Sequence, residues 1–159
     1  MTEKIEIKEL CKTDIPILEE FIYWSIFTPP GFDLPERSVI FHPSIYIYVE
    51  NFGAKGDCGV FAQIDERIVG AAWARRIHAF GYVDEETPEL AVSVLPKYRS
   101  LGIGTKMMER LFELLLEKGY RQTSLAVQKE NPAYNFYMRL GYETVSQKTE
   151  EYIMVKRLR

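Results

Sequence analysis

The residues best suited to chemistry lie in one short stretch, Val94-Leu95-Pro96-Lys97-Tyr98-Arg99-Ser100-Leu101-Gly102-Ile103-Gly104-Thr105. An apolar strand ends at Pro96, a turn carries Arg99, Gly102 and Gly104, and a long amphipathic run follows. Glycine lets the main chain approach a ligand closely. The first N–H groups of a helix have no intrahelical acceptor and point outward with the positive end of the helix dipole. Such a corner is a candidate anion site. Local charge agrees, because Lys97, Arg99, Lys106 and Arg110 face only Glu109 in a chain whose net charge is −3. Taken alone, a Gly-x-Gly of this kind is more often a tight βα turn shaped for packing.

Two named phosphate motifs do not fit these letters. A Walker A loop needs Gly-Lys-Ser/Thr after a four-residue gap, and Gly104-Thr105-Lys106 reverses that order. The dinucleotide fingerprint needs a third glycine where Met107 stands. A second stretch, Asn131-Pro132-Ala133-Tyr134-Asn135-Phe136-Tyr137-Met138-Arg139-Leu140-Gly141-Tyr142, follows one short β-rich run later. Arg99-Ser100-Leu101-Gly102-Ile103-Gly104 resembles the Gln/Arg-x-x-Gly-x-Gly/Ala acyl-CoA signature of the GCN5-related N-acetyltransferases, the GNAT family. The second stretch resembles that family's later Asn-Pro-Ala…Tyr-x-x-Leu-Gly-Phe/Tyr segment. The two stand in the family's order, and the resemblance is firm over roughly Pro88 to Val145.

The resemblance implies the roles of individual residues. Main-chain amides of Arg99, Ser100, Leu101, Gly102, Ile103 and Gly104 would hold the pyrophosphate of acetyl-CoA, with Thr105 adding a hydroxyl. The strand end Val92, Ser93, Val94 and Leu95 would pair with the two pantetheine amides as with another strand. Asn131 would contact the cofactor arm. Tyr137 matches the family's general acid, which meets the thiolate leaving as a neutral amine attacks the thioester. At reference values a phenol near ~10 gives its proton to a thiolate near ~8.5 uphill by about 2 kcal/mol. Tyr137 therefore has either a lowered pKa or the lesser task of hydrogen-bonding the sulfur. The bland alternative is a core tyrosine, since Ala133, Tyr134 and Tyr137 share helical spacing.

The amine must also lose a proton. Glu89, at the start of the strand leading into the glycine turn, is the candidate base, directly or through a water. Asp84, Glu85, Glu86 and Glu89 lie close together and would draw in a cationic amine, or form a solvated acidic loop. His78 titrates near neutrality and ranks below Glu89.

The elements that must position these groups follow from periodicity. Ile5, Ile7 and Leu10 alternate with charged residues as in a half-buried strand. Leu18, Phe21, Ile22 and Ile26 have helical spacing, with Thr13 as cap and Pro29-Pro30-Gly31 as stop. Thr28 to Arg37 reads as loop. From Pro43 to Phe52 strand-like alternation competes with helix punctuation, and we read a helix. Cys58–Ile64 and Arg67–Arg76 form a hairpin about Asp65-Glu66. Glu89 to Leu95 is a strand, Gly104 to Lys118 a helix and Thr123 to Val127 a strand. Pro132 to Leu140 is a helix, and weaker strands run Tyr142–Val145 and Tyr152–Leu158. This is an α/β chain with a mixed, mostly antiparallel central sheet flanked by helices, as the resemblance also implies, in a single domain over 1–159.

Composition sets the bounds. The chain has 159 residues, 47% of them hydrophobic and 27% charged, which suits one globular domain and argues against disorder. An acidic balance disfavours a nucleic-acid partner. Cys11 and Cys58 are too few for a disulfide framework, and with His42 and His78 they form no metal-ligand spacing. The start carries no signal-peptide stretch, and no run approaches the ~20 apolar residues of a membrane span. We expect a cytoplasmic protein with no metal and no membrane partner. The functional expectation is transfer of acetyl from acetyl-CoA to a primary amine, the acceptor being a small molecule or a peptide N-terminus. A homodimer is one assembly that the resemblance allows. The competing reading is a non-catalytic acyl-CoA-binding regulatory module.

Overall fold

The computed structural model describes residues 4–158, so Met1, Thr2, Glu3 and Arg159 of the expected domain lie outside it. Strands β1 (Ile5–Glu9), β2 (Cys58–Ile64), β3 (Arg67–Arg75), β4 (Glu89–Val94), β5 (Gln122–Gln128), β6 (Glu143–Gln147) and β7 (Glu151–Arg157) form one sheet in the order β1-β2-β3-β4-β5-β7-β6. Every neighbouring pair is antiparallel except β4 and β5. Helices α1 (Ile15–Ser25), α2 (Pro43–Tyr46), α3 (Ile103–Glu117) and α4 (Ala133–Arg139) complete the chain, with short 3-10 turns at Arg37–Phe41 and Pro96–Tyr98. This is the α/β class expected, mixed and mostly antiparallel.

Strand β3 shows why the sheet is covered on both faces. Ala72 and Ala74 join the core that receives Met107, Met108, Leu111 and Leu115 of α3, while Ala71 and Trp73 join a second core with Leu18, Phe21 and Ile22 of α1. The strand's period of two sends alternate residues to opposite layers. Asp65 and Glu66 turn the β2–β3 hairpin with φ of 48° and 68°, the doubly left-handed geometry whose twist suits a two-residue connection.

Two local expectations need correction. Asp14, not Thr13, occupies the N-cap position of α1, and Pro16 fills its first turn; the Thr13 hydroxyl instead lies 3.0 Å from Cys11 Sγ. The helix expected to Phe52 ends at Tyr46. There the chain bends, and Arg75, only 7% exposed, holds it by donating to the carbonyls of Ile47 and Glu50 at 2.9 and 2.8 Å while pairing with Asp57 at 3.2 Å. The Ile47 and Glu50 carbonyls thus find their partner in a buried cation from β3.

Candidate functional site

The glycine corner joins β4 to α3. Ser100 and Gly102 take left-handed φ of 63° and 82°, and Gly102 stands at the N-cap of α3. No side chain caps that helix, so the amides of its first turn keep their donors open. A Cβ built on Gly102 would meet nothing within 4 Å, whereas one on Gly104 would stand 3.2 Å from Phe136 Cζ. Gly102 thus opens onto free space, and Gly104 lets α4 close against α3. Arg99 braces the turn by donating from Nε to the Val94 carbonyl at 3.0 Å.

A cavity of about 880 Å³ runs along this corner. Its walls are the end of α1 with the following loop, Val92 to Val94, the Arg99–Thr105 turn, and Asn131 to Tyr137 of the second motif. The space exists because β4 and β5 pair only at Glu89 with Ser124 and then part. Main-chain groups of β4 beyond that point are available on the β5 side. A second cavity of about 110 Å³ sits in the cleft between Leu90–Val92 and Leu125–Gln128. Ser25, Val92, Asn131 and Tyr137 line both spaces.

Tyr137 therefore stands where the two cavities meet. Its ring packs against Tyr142 at 5.7 Å and Phe136 at 5.5 Å, and burial pushes its hydroxyl up to about 12. A phenol so raised is neutral and hydrogen-bond-donating at neutral pH.

Glu89 opens β4 but lines neither cavity, and it is 1% exposed. Its carboxylate accepts the main-chain N–H of Gly81 at 2.7 Å and the Tyr48 hydroxyl at 3.1 Å on Oε1, and the N–H of Ala79 at 2.8 Å on Oε2. Burial raises its pKa, against the lowering effect of those three donors. Glu89, the candidate base directly or through a water, has no direct opening to either cavity. Its link to the smaller cavity is Tyr48, which lines that cavity. Burial and the neighbouring carboxylate together push the Tyr48 phenol well up.

Of the other expected residues, Val92, Ser93, Val94, Arg99, Ser100, Gly102, Ile103, Gly104, Thr105 and Asn131 line the larger cavity. Leu95 and Leu101 do not: the Leu95 N–H is bonded to the Val69 carbonyl at 2.8 Å, and the Leu101 side chain is 61% exposed. The Asn131 side chain is tied locally, accepting from Ala133 N–H at 2.9 Å and donating to Gln128 Oε1 at 3.1 Å. The acidic loop closes on itself. Asp84 accepts from Glu86 N–H and the Thr87 hydroxyl, and Glu85 accepts from Tyr82 and contacts His78. Sequence reading missed Glu151, among the described residues the one carboxylate lining the smaller cavity. Among the described residues no three His, Cys, Asp or Glu side chains are grouped to hold a metal.

The family model described as "Acetyltransferase (GNAT) family" matches residues 20–142, most of the chain and both motifs. The chain belongs to the GNAT acetyltransferase family. It resembles the PaiA N-acetyltransferase of Thermoplasma acidophilum, solved with coenzyme A, at 18% identity and a TM-score of 0.68 over 97% of this chain and 99% of that one. A GNAT-family acetyltransferase of Staphylococcus aureus Mu50 superposes with a TM-score of 0.71 at 21% identity, covering 98% of this chain and 100% of its own. At those identities the likeness is one of fold. In sequence, the thialysine N-epsilon-acetyltransferase of Mus musculus is 40% identical over 57 residues, 35% of this chain and 34% of that protein. This GNAT-family chain thus spans about a third of that curated relative's length in the matched stretch.

Proposed function

We propose that this GNAT domain, taken over residues 1–159, moves an acetyl group from acetyl-CoA to a primary amine by direct attack of nitrogen on the thioester carbon. The observation that carries the reading is Tyr137 on the wall shared by a large and a small cavity. A donor in one and an acceptor in the other meet at that residue.

Acetyl-CoA supplies an activated acyl group whose leaving thiolate is far more stable than an alkoxide or amide. The residues around the larger cavity suit it. The Arg99–Gly104 amides and the open space above Gly102 fit a diphosphate, and the unpaired side of Val92–Val94 fits the pantetheine amides. Thr105 adds a hydroxyl, and Asn131 contributes shape and main chain. As nitrogen bonds to the carbonyl carbon and the carbon–sulfur bond breaks, Tyr137 donates a hydrogen bond to the departing sulfur. With its phenol at about 12 against a thiol near ~8.5, complete proton transfer is uphill by about 5 kcal/mol. Stabilisation by hydrogen bond is its role; the newly bonded nitrogen releases its second proton to solvent as the amide forms, and the thiolate takes a proton from solvent.

An alkylammonium must shed one proton before it attacks. The Tyr48 hydroxyl accepts that proton while passing its own to Glu89, which leaves Tyr48 neutral and Glu89 as the acid. A raised Glu89 pKa favours this transfer. Cys11 and Cys58 are both free, which suits a reducing compartment such as the cytoplasm. The test is thermal denaturation with acetyl-CoA followed by an amine screen reading thiol release. A Tm rise with amine-dependent release supports the enzyme. A Tm rise without release by any amine favours the non-catalytic module, and no rise removes both.

A further inference from the structure

Glu151 opens β7 opposite Gln128 of β5 and lines the smaller cavity. Its side chain is only 19% exposed, and the nearest cation is Lys148, 3.9 Å away and 61% exposed. That distance is the outer limit of an ion pair, so a largely desolvated acid has weak compensation within the chain. Burial raises its pKa more than Lys148 lowers it. Among the described residues no basic side chain lines this cavity, and an incoming cation would supply the missing partner.

Position decides which part of the acceptor that cation belongs to. The residues common to both cavities, Ser25, Val92, Asn131 and Tyr137, border the thioester, and Glu151, like Tyr48, lines the smaller cavity alone. A carboxylate beside the attacking nitrogen would also hold it protonated and unreactive. The group that Glu151 meets is therefore a second nitrogen, away from the thioester. The lining is mixed, with Ser25, Tyr48, Gln128 and Asn131 beside the apolar side chains of Ile45, Phe80, Leu90 and Val127, against which a short hydrocarbon spacer can pack. A cavity of about 110 Å³ holds a handful of water-sized groups, which limits that spacer to a few carbons.

We propose that Glu151 selects the acceptor, binding the permanently protonated second ammonium of a short aliphatic diamine whose neutral amine faces Tyr137. This rests on the acetyltransferase reading above. Tyr48 and Glu89 serve the reacting end, and Glu151 serves the remote end.

The test is steady-state kinetics by thiol release with diaminobutane and butylamine, acceptors of equal chain length, in wild type and Glu151→Gln. Wild type should favour the diamine in kcat/KM by about tenfold or more, the factor that one modest desolvated ion pair supplies. Glu151→Gln should raise KM for the diamine by a similar factor with little change in kcat, and bring the preference close to unity. A wild-type enzyme indifferent to the second ammonium overturns the proposal whether or not the variant folds. So does an unchanged diamine KM in a folded variant, or a wild type that acetylates neither amine although acetyl-CoA raises its Tm. Absence of any acetyl-CoA shift instead overturns the acetyltransferase reading itself, and this assignment with it.

Discussion

The Tyr48 hydroxyl donates to Glu89 Oε1 at 3.1 Å across 41 residues of sequence. It joins a carboxylate sealed inside the protein to a cavity that the carboxylate cannot reach. If this pair carries the amine's proton, Tyr48→Phe should lower kcat by about 10- to 100-fold and leave the acetyl-CoA-induced Tm shift intact. Activity should rise with pH as Glu89 loses its proton, and that limb of the kcat profile should be lost in the variant. An unaltered profile would return Tyr48 to packing.

Glu89 also carries a stability signature. Its folded pKa is raised, so the native state binds more protons than the unfolded chain between the ordinary carboxylate value and the folded one. Stability contributed by this group is therefore fully present below that window and is lost as pH rises through it. Glu89→Gln removes the titration and sets an amide N–H₂ against a main-chain donor, at a cost of about 1–3 kcal/mol. The Tm gap between wild type and variant should be wider at acid pH than above neutrality. A gap that widens with pH would contradict the sign of the shift.

Tyr137→Phe should reduce turnover by about 100-fold while KM for acetyl-CoA stays within a few-fold, because the ring still fills its place between Phe136 and Tyr142. A rate close to wild type would make the hydroxyl dispensable.

Gly102→Val should weaken acetyl-CoA binding, measured by calorimetry. The new side chain enters space open to at least 4 Å and its backbone must hold φ of 82°, so some loss of Tm accompanies it. Equal affinity in the folded variant would displace the diphosphate from this corner.

Gly81→Ala tests the seal over Glu89. A Cβ there would lie 2.8 Å from the Leu125 carbonyl carbon, and Gly81 both donates to Glu89 and accepts from the Ser124 hydroxyl. We expect a loss of about 2–4 kcal/mol by urea unfolding, with activity falling in parallel. Full stability would show that the segment has slack.

Sequence alone exposed those parts of the molecule whose cause is local. The Asp65-Glu66 hairpin, the apolar stripe from Met107 to Leu115 and the Gly102 corner each depend on neighbours within a few positions, and each stands where periodicity put it. What stayed hidden depends on distant partners. The end of α2 at Tyr46 answers to Arg75. The place of β7 between β5 and β6 is a matter of pairing that no single strand announces. Glu151 reads as one more acid beside Glu150 until its register with Gln128 turns it inward, and Tyr48 gains meaning only from the buried carboxylate it touches.

The lone bridge between Glu89 and Ser124 places this protein under a constraint that an ordinary sheet escapes. Beyond it, two neighbouring strands stay unzipped, and the rungs left vacant are the ones a guest must complete. Selection for heat resistance alone would favour knitting those strands together, since every added rung lowers the free energy of the native fold. Each rung so gained would be taken from the visitor, so resilience and turnover should trade against one another along this seam.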